Sequence, residues 1–425
     1  MSNKSETYSD SPLGESKQKS QRSYVGMILF IVHLALSISL SVALIISYLT
    51  PYISPENFGS LTIMGHFAPI LFVSVLVCVL IWLIARQWRM AGAVALVLIP
   101  GFFFVTQFYH INFYRNEVKE SRESFTLLTY NVRGFYNDDG ERVVGDFATY
   151  LAESNPFTEE AAAADVICLQ EFAVDAEGVE TVDSLIRTAI PSVYVRDVHE
   201  SENVVLRTYS RYPIVADGGI AGSNQGTSQW VDVVKGEGDT LRIFNNHFYT
   251  MSISDDDVDN ISQGKILSDG DRMLSIIDRV EHNSIVRINH VDSLLCVINE
   301  TPYRHVVVGD FNDGPMSRVY NLMTSNLHDA FATKGSGYGS TYRPMWGMLR
   351  IDYVLYSDGF EPMAYNANED VELSDHLPVA VQLADTTAPQ SESSDSHIWA
   401  IIMSVLVFLV IVAYAIISRI RRRDR

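Results

Sequence analysis

The chain has 425 residues, more than one typical domain needs. Its 51 acidic residues outnumber its 31 basic ones and give a formal net charge of −20 at pH 7. This balance disfavours a protein that binds the nucleic-acid backbone, because phosphate contacts need clusters of Lys and Arg. The three cysteines provide no disulfide framework, and we predict that Cys168 and Cys296 are buried small side chains.

Four stretches of the chain are almost free of charge and long enough to cross ~30 Å of hydrocarbon. They comprise residues 25–49, 67–85, 91–109 and 398–417. Buried core helices are the alternative, which is strongest for the third stretch because Pro100 and Gly101 interrupt it. We predict three membrane spans before a soluble domain and one span after it.

Composition divides the chain into successive segments. They are a polar cytoplasmic tail at 1–24, a three-span anchor at 25–110, a soluble domain at 124–385, a linker rich in Thr, Pro and Ser at 386–397, a transmembrane helix at 398–418 and a basic tail at 419–425.

Lys and Arg in the short loops predict the orientation of the spans. The tail at 1–24, the turn with Arg86 and Arg89, and the end of the chain are basic, whereas residues 50–66 contain no Lys or Arg. The positive-inside rule then places the soluble domain outside the cytoplasm. A basic stretch at 115–122 favours the opposite side, which follows if the third segment is re-entrant. We predict a multi-pass protein of a bacterial inner or plasma membrane, with the lipid bilayer as a partner and no protein partner evident.

The soluble domain alternates between strand and helix patterns, and apolar spacing predicts a helix over 272–298. Asp255, Asp257 and Asp259 alternate as in a calcium loop, but Asn260 and Ile266 replace the glycine and the last acid of that motif. We therefore predict a solvated acidic loop there.

The predicted strands of this domain repeatedly end in polar groups. These are Asn131, Glu171, His247, Asp310 with Asn312, Asp352, and Asp375 with His376. One such residue alone is more often a turn residue or a helix cap, and a lone histidine is more often part of a satisfied core. However, strand ends of a layered α/β fold gather along one edge, where clefts form.

The stretch VVVGDFNDGP at 306–315 carries the strongest of these signals. Three valines predict a short buried strand, and Asp310 and Asn312 then project to the same side of an extended chain. An acid and an amide presented together at a strand end can hold a metal, a water or a phosphate oxygen.

The motifs TYNVRG, QEF, YSRYPI, NNHF, GDFND, RIDYVL and SDHLPV follow one another in this order. The domain thereby resembles the endonuclease/exonuclease/phosphatase superfamily, which includes deoxyribonuclease I-like enzymes and neutral sphingomyelinases. The resemblance spans nearly all of 125–383 and excludes the apolar stretches. It implies an α/β fold in which two mixed sheets pack face to face, here joined to three N-terminal and one C-terminal transmembrane helices.

The resemblance also implies a metal site. Glu171 would be the main carboxylate ligand of a Mg²⁺ ion, with Mn²⁺ as the alternative, and Asn131 would lie beside it. Asp375 would be an additional ligand or a group that supports one. Hard oxygen ligands suit Mg²⁺, which keeps some waters and takes the substrate phosphate as a ligand.

The remaining catalytic roles follow from the same resemblance. His376 would act as a general base, and the carboxylate of Asp352 would fix the orientation of its imidazole. Asp310 would orient or deprotonate the attacking water, so the identity of the base stays open between Asp310 and His376. Asn312 would hold a phosphate oxygen, and His247 would stabilise the transition state or protonate the leaving oxygen.

Four more residues are of interest in this domain. Arg133, Arg211 and Arg350 are candidates for phosphate contact, although Arg211 also fits a turn cap. Trp346 lies in YRPMWGMLR at 342–350, which fits either a loop that meets substrate or membrane, or a packed hairpin tip.

The function implied is metal-dependent hydrolysis of a phosphodiester by water attack. A nuclease-like activity is the first hypothesis. The second is a phosphodiesterase or phosphatase that acts on a phospholipid or sugar phosphate, favoured by the membrane tether and the acidic surface. An inactive binding domain is the third, disfavoured because every expected catalytic position is occupied.

Overall fold

The computed structural model describes residues 12–110, 124–137, 139–158, 160–173, 175–200, 203–221, 226–236 and 238–386. The predicted C-terminal span and the basic stretch at 115–122 lie outside these residues. The described chain forms two compact units. The first contains the chain up to Ile45 together with Ile70–Ile99, and the second contains Ile46–Pro69 and the chain from Pro100 onwards.

The N-terminal region is helical. Its helices are α1 (Pro12–Leu49), α2 (Pro55–Thr62), α3 (Ala68–Ile84), α4 (Trp88–Ala95) and α5 (Gly101–Phe108). Two helical stretches, Tyr24–Tyr52 and Pro55–Ile84, are long and apolar enough to cross a membrane.

The third predicted span is not a straight helix. The stretches Trp88–Leu98 and Gly101–Phe108 meet at an angle of 55°, which makes them a broken span or a re-entrant loop. Proline lacks the amide donor that a continuous helix needs, so Pro100 accounts for the break. The structure thus supplies two candidate spans where the sequence predicts three, and orientation in the membrane stays a prediction.

The second unit contains two large mixed sheets. Its strands are β1 (Tyr109–His110), β2 (Ser124–Asn131), β3 (Val166–Gln170), β4 (Tyr194–Glu200), β5 (Asn203–Ser210), β6 (Ile214–Ala221), β7 (Thr227–Gly236), β8 (Asp239–His247), β9 (Arg304–Asp310), β10 (His328–Asp329), β11 (Gly337–Tyr338), β12 (Asp352–Tyr356), β13 (Phe360–Ala367) and β14 (Val379–Asp385). One sheet has the order β10-β12-β9-β8-β7-β6 and the other β13-β14-β2-β3-β5-β4, while β1 pairs with β11.

The remaining helices flank these sheets. They are α6 (Val144–Ala152), α7 (Ala176–Ala189), α8 (Asp255–Ser262), α9 (Gly270–Glu300), α10 (Arg318–Met323) and α11 (Ala330–Lys334), and a short helix α12 (Pro344–Gly347) follows β11. One apolar cluster lies between the two sheets and includes Leu127, Ile243 and Val308. Further clusters involve residues of α6 and α7 on one sheet and of α9 and α10 on the other. The implied sandwich of two mixed sheets is confirmed.

Two local predictions in this unit are wrong. The stretch from Asp255 is the helix α8 and not a loop, because Ser254 and Asp257 cap its start by reciprocal backbone–side-chain hydrogen bonds of 3.2 Å. Cys168 is buried as predicted, but Cys296 is exposed because it lies on the outer side of α9. The helix predicted over 272–298 is confirmed as α9.

Candidate active site

The predicted site residues meet because strand ends align at one edge of the two sheets. In one sheet, His247 at the end of β8 is in register with Asp310 at the end of the parallel strand β9. The antiparallel strand β12 begins at the same level, so Asp352 is in register with Asp310. In the other sheet, Asn131 is the last residue of β2 and Glu171 directly follows β3.

The backbone conformation beside Asp310 depends on the two residues Gly309 and Asn312. Gly309 has φ = 126°, and a Cβ atom there would lie 1.9 Å from the backbone oxygen of Asn246, so no larger residue fits. Asn312 has φ = 50°, which is uncommon for a residue with a side chain. The backbone N of Asn312 donates to Oδ1 of Asp310 at 2.8 Å, and its side-chain Nδ2 donates to Oδ2 of Asp310 at 3.1 Å. The Asp310 carboxylate is therefore held rigidly.

The two N–H groups of the Asn312 carboxamide are both used inside the protein. Besides Asp310, its Nδ2 donates to the backbone oxygen of Phe248 at 3.0 Å. This geometry favours a positioning role for Asn312, because no donor of that amide is left for a phosphate oxygen.

Asn131 connects the two sheets at the site. Its Nδ2 lies 3.0 Å from Oε1 of Glu171 and 3.0 Å from Oδ2 of Asp310. Its Oδ1 accepts a hydrogen bond of 3.0 Å from the backbone N of Arg133. Glu171 and Arg133 have φ values of 54° and 47°, and such strained backbone conformations concentrate at functional sites.

His247 faces the same carboxylates. Its Nε2 is 3.4 Å from Oε1 of Glu171 and 3.7 Å from Oδ2 of Asp310. This nitrogen is buried and makes no hydrogen bond within the described part of the chain. Buried polar atoms normally have a partner, so an external ligand is expected beside it.

His376 and Asp352 form a close, buried pair. Nδ1 of His376 lies 3.0 Å from Oδ2 and 3.1 Å from Oδ1 of Asp352. Its Nε2 is 3.7 Å from Oδ2 of Asp310. Burial alone would lower the pKa of His376, but the carboxylates of Asp352 and Asp310 raise it to about 10. The implied His376–Asp352 contact is present.

The acids at the site differ in their pKa. Burial, reinforced by the nearby Asp352 carboxylate, raises the pKa of Asp310 to about 6, although the two histidines oppose this. Burial also raises the pKa of Glu171, but His247 and the hydrogen bond from Asn131 outweigh it, so the pKa ends below its usual range. Divergent carboxyl pKa values within one site are typical of acid–base chemistry.

Asp375 lies on the other side of Arg133. Its Oδ2 is 3.6 Å from Nε of Arg133, and its Oδ1 accepts a hydrogen bond of 3.2 Å from Ser374. Burial raises its pKa. The Ser374 hydroxyl also donates to the backbone oxygen of Asn131 at 2.9 Å, which connects the loop between β13 and β14 to the end of β2 in the same sheet. Ser374 is not among the predicted site residues, although it stands in the same SDH motif as Asp375 and His376.

The donor atoms at the site suit a divalent cation. Within the described residues, Glu171, His247 and Asp310 form one group of ligand atoms within 4.8 Å of one another, and Asp310, Asp352 and His376 form another. The carboxylates of Glu171 and Asp310 give hard oxygen donors, and the carboxamide of Asn131 lies between them. Asp375 belongs to neither group.

A cavity of about 280 Å³ opens at these groups. Glu171, Asp310 and His376 line its polar end. Most of the remaining wall is apolar and comes from several parts of the chain. Among its residues are Ile63, Met251, Ile261, Ile276, Met348 and Ile351. Ile63 belongs to the segment between the two candidate spans, which the sequence predicts to be part of the membrane anchor alone.

The three arginines predicted for phosphate contact have different surroundings. Arg133 lines the cavity. Arg211 pairs with Asp165 through Nε at 2.7 Å, which supports its reading as a turn residue. Arg350 is buried and its Nη2 lies 2.7 Å from Oδ2 of Asp329, so a phosphate role for it is wrong.

The tip that carries Trp346 is a hairpin, since Tyr342 bridges to Leu349. Trp346 itself is 63% exposed, and both it and Met345 have positive φ. Met345, Met348 and Leu349 line the cavity. Trp346 is therefore not packed, and its neighbours contribute to the site.

Fold and site together define a two-sheet α/β sandwich with an acid–histidine cluster at its strand ends. A family model described as the Endonuclease/Exonuclease/phosphatase family matches residues 128–376, more than half of the chain. The chain belongs to this family, whose members are phosphoesterases and generally use divalent metals. A second family model, a domain of unknown function, matches residues 28–108.

Solved structures of the same fold are similar to this chain. An endonuclease/exonuclease/phosphatase from Bacteroides vulgatus is 16% identical, with 62% of this chain and 100% of that chain covered and a TM-score of 0.45. A mannosyl-6-phosphatase from Bacteroides thetaiotaomicron is 16% identical, with coverage of 61% and 99% and a TM-score of 0.45. The human Nocturnin catalytic domain with bound sulfate is 15% identical, with coverage of 63% and 98% and a TM-score of 0.42. No curated protein matches this chain.

Proposed function

We propose that this protein is a divalent-metal-dependent phosphoesterase and that its substrate carries an apolar group, as a phospholipid does. One observation carries the proposal. The acid–histidine cluster opens directly into a cavity whose remaining wall is mostly apolar. Ligand pockets of this kind combine a few placed polar groups with an apolar lining that holds the body of the ligand.

The charges at the cavity disfavour a nucleic acid. Glu171, Asp310 and Asp375 all line it, and Arg133 is the arginine among its lining residues. A polyanionic strand needs several phosphate contacts from Lys and Arg, together with aromatic surfaces for base stacking. The second hypothesis from the sequence, a phospholipid or sugar-phosphate substrate, therefore gains weight over the nuclease-like one, and the apolar wall favours the phospholipid.

We assign metal binding to Glu171, with the carboxamide of Asn131 beside it, Mg²⁺ as the ion and Asp375 as a supporting group. When bound, the ion polarises a phosphoryl oxygen and stabilises the charge that develops on it. The other steps fall to side chains of this chain.

Asp310 is the better candidate for the base. A carboxylate with a pKa of about 6 is ionised at neutral pH yet basic enough to accept a proton from the attacking water. His376, whose pKa is raised to about 10, stays protonated and donates from Nε2 to a phosphate oxygen while Asp352 holds Nδ1. His247 offers its unpartnered Nε2 to the phosphate or to the leaving oxygen.

The test uses the full-length protein in detergent micelles. Hydrolysis of a phospholipid, of bis(p-nitrophenyl) phosphate, of p-nitrophenyl phosphate and of single-stranded DNA is followed with Mg²⁺ and with a chelator. We expect chelator-sensitive turnover of the phospholipid. Glu171→Gln and His376→Ala should each lower kcat/KM by roughly 10²–10⁴-fold.

Exposed residues of the same types provide the controls. Glu180→Gln on α7 and His328→Ala at the start of β10 should leave turnover unchanged, because both side chains lie outside the cavity lining. Metal-dependent cleavage of DNA without turnover of any phospholipid would refute the proposed substrate class. Turnover that survives both the chelator and Glu171→Gln would refute the metal-dependent mechanism.

A further inference from the structure

The segment between the two candidate spans, Ile46–Pro69, belongs to the same compact unit as the two sheets. We call it the inter-span segment. It contacts the loop that follows Asp310 and the helix α10. The Thr50 hydroxyl donates to the backbone oxygen of Met316 at 2.5 Å, and Nη1 of Arg318 donates to the backbone oxygen of Pro51 at 3.4 Å. Thr50 is fully buried by this contact.

Glycine makes part of this contact possible. A Cβ atom at Gly65 would lie 2.5 Å from the backbone oxygen of Met316 and 2.6 Å from Oγ1 of Thr50. Real Cβ atoms do not approach backbone oxygens so closely, so this position accepts no side chain. The inter-span segment is therefore closely packed against the loop that follows β9.

The end of the segment reaches the cavity. Ile63, His66 and Phe67 all line it, together with Asp310 and Asn312. The inter-span segment thus adds two apolar side chains and one imidazole to the lining of the cavity. None of these three residues lies in the region that the Endonuclease/Exonuclease/phosphatase family model matches, 128–376.

The carboxylate of Asp313 lies beside the neutral imidazole of His66. Its Nε2 lies 3.2 Å from Oδ1 of Asp313, and Oδ2 of Asp313 lies 3.2 Å from Nε of Arg287. Burial raises the pKa of Asp313, but the Arg287 guanidinium and His66 outweigh it and hold this pKa below its usual range. Asp313 is therefore a carboxylate, and its negative charge 3.2 Å from Nε2 favours the neutral tautomer with the proton on that nitrogen.

Neither imidazole nitrogen of His66 makes a hydrogen bond among the described residues, so the contact of Nε2 with Asp313 is electrostatic. Nδ1 of His66 is buried and makes no hydrogen bond there. With the proton on Nε2, Nδ1 is an acceptor. It would meet a hydroxyl donor of a ligand that fills the cavity.

We propose that the inter-span segment is part of the active site and that His66 is a substrate-binding residue, whose Nδ1 accepts a hydrogen bond from a hydroxyl group in the headgroup of the substrate. This inference rests on the proposed function, because it assumes a lipid phosphoester in the cavity. It predicts a preference for hydroxyl-bearing headgroups.

Two conservative substitutions separate binding from structure. A glutamine places an amide nitrogen near the position of Nε2 and keeps the contact with Asp313, but it removes the acceptor at Nδ1. An asparagine places its amide oxygen near the position of Nδ1 and loses the contact with Asp313. His66→Gln and His66→Asn therefore give opposite results for the two roles.

The experiment compares full-length wild type, His66→Gln and His66→Asn in mixed micelles of phosphatidylglycerol, whose headgroup has hydroxyls, or phosphatidylcholine, whose headgroup has none. We expect His66→Gln to raise KM for phosphatidylglycerol about tenfold, with a smaller change in kcat, as the loss of one hydrogen bond does. The preference for phosphatidylglycerol should fall with it, and His66→Asn should retain more of that preference. His328→Gln alters another histidine beside a carboxylate, 2.9 Å from Asp358, and should change neither constant.

Two results would overturn the inference. Unchanged KM values in both His66 variants would show that the substrate does not reach Nδ1. A larger loss in His66→Asn than in His66→Gln, accompanied by a lower Tm, would assign His66 a structural role through Asp313. In both cases the wild type still hydrolyses phospholipid, so the proposed function stands. If the wild type hydrolyses no phospholipid, the proposed function fails and the inference fails with it.

Discussion

Asp313→Asn is the substitution that tests the buried network most directly. Arg287 has no solvent exposure, and the carboxylate of Asp313 neutralises its charge at 3.2 Å. Asparagine has nearly the same shape but no charge, so the substitution leaves a buried guanidinium beside neutral groups, the Ser284 hydroxyl and the backbone oxygen of Tyr249. Removing one partner of a buried pair costs roughly 3–5 kcal/mol of stability.

This free energy corresponds to a measurable change in Tm. For a domain of about 250 residues, 1 kcal/mol shifts Tm by roughly 2–4 °C, so Asp313→Asn should lower Tm by roughly 6–20 °C. The measurement is thermal unfolding of the full-length protein in detergent, followed by intrinsic fluorescence. Asp256→Asn is the matched control, because Asp256 is exposed and lies 3.6 Å from Arg272. Such surface pairs contribute about 0–1 kcal/mol.

The same variant has a defined pH dependence. Because the pKa of Asp313 is lowered in the folded state, its stabilisation is present above the unfolded carboxyl pKa of about 3.9 and is lost as pH falls through the lower folded value. The difference in Tm between wild type and Asp313→Asn should therefore be constant from pH 7 to about pH 4 and shrink below it. A Tm within about 2 °C of wild type at pH 7 would refute the account of this pair.

Other predictions concern the inter-span segment, the His376–Asp352 pair and the exposed Trp346. Gly65→Ala should loosen the inter-span segment, because the new Cβ would meet the backbone oxygen of Met316. Hydrogen exchange in Ile46–Pro69 should therefore rise. Gly145→Ala is the control and should not change exchange, because Gly145 has open space around it. Asp352→Asn should lower kcat by roughly 10²–10⁴-fold, because His376 loses the carboxylate that fixes its Nδ1 and raises the pKa of the imidazole. Asp358→Asn, beside the exposed His328, is the control and should leave kcat unchanged. Trp346→Ala should lower turnover of phospholipid in vesicles more than in micelles, since an exposed tryptophan favours the membrane interface; equal losses in both would contradict an interfacial role.

The polar strand ends of the site could be predicted from sequence because local rules determine them. A buried strand that ends in Gly-Asp-Phe-Asn fixes where Asp310 and Asn312 project, and register between neighbouring strands then brings His247 and Asp352 to the same edge. The order of the sequence motifs along the chain indicates the family. The role of each residue stays a proposal, since register determines proximity and not chemistry.

Other features depend on contacts between parts of the chain that are far apart in sequence. Arg350 stands in a motif beside Asp352, yet its partner is Asp329 in another strand, which removes it from the site. The Asp-rich stretch at 255–259 lacked a complete calcium motif, but the capping pair Ser254 and Asp257 that starts a helix was present in the sequence and was missed. The bend in the third apolar stretch is visible as Pro100, whereas its angle is not.

The wall of the cavity shows why the two parts of this chain belong together. One family model ends at residue 108 and the other begins at residue 128, which suggests an anchor and an enzyme that work separately. The cavity does not follow that division, because Ile63, His66 and Phe67 line it beside Asp310. Phe67 directly precedes α3, so the residue that lines the cavity and the start of an apolar helix are adjacent in the chain. The stretch that matches the domain of unknown function therefore contributes side chains to the cavity.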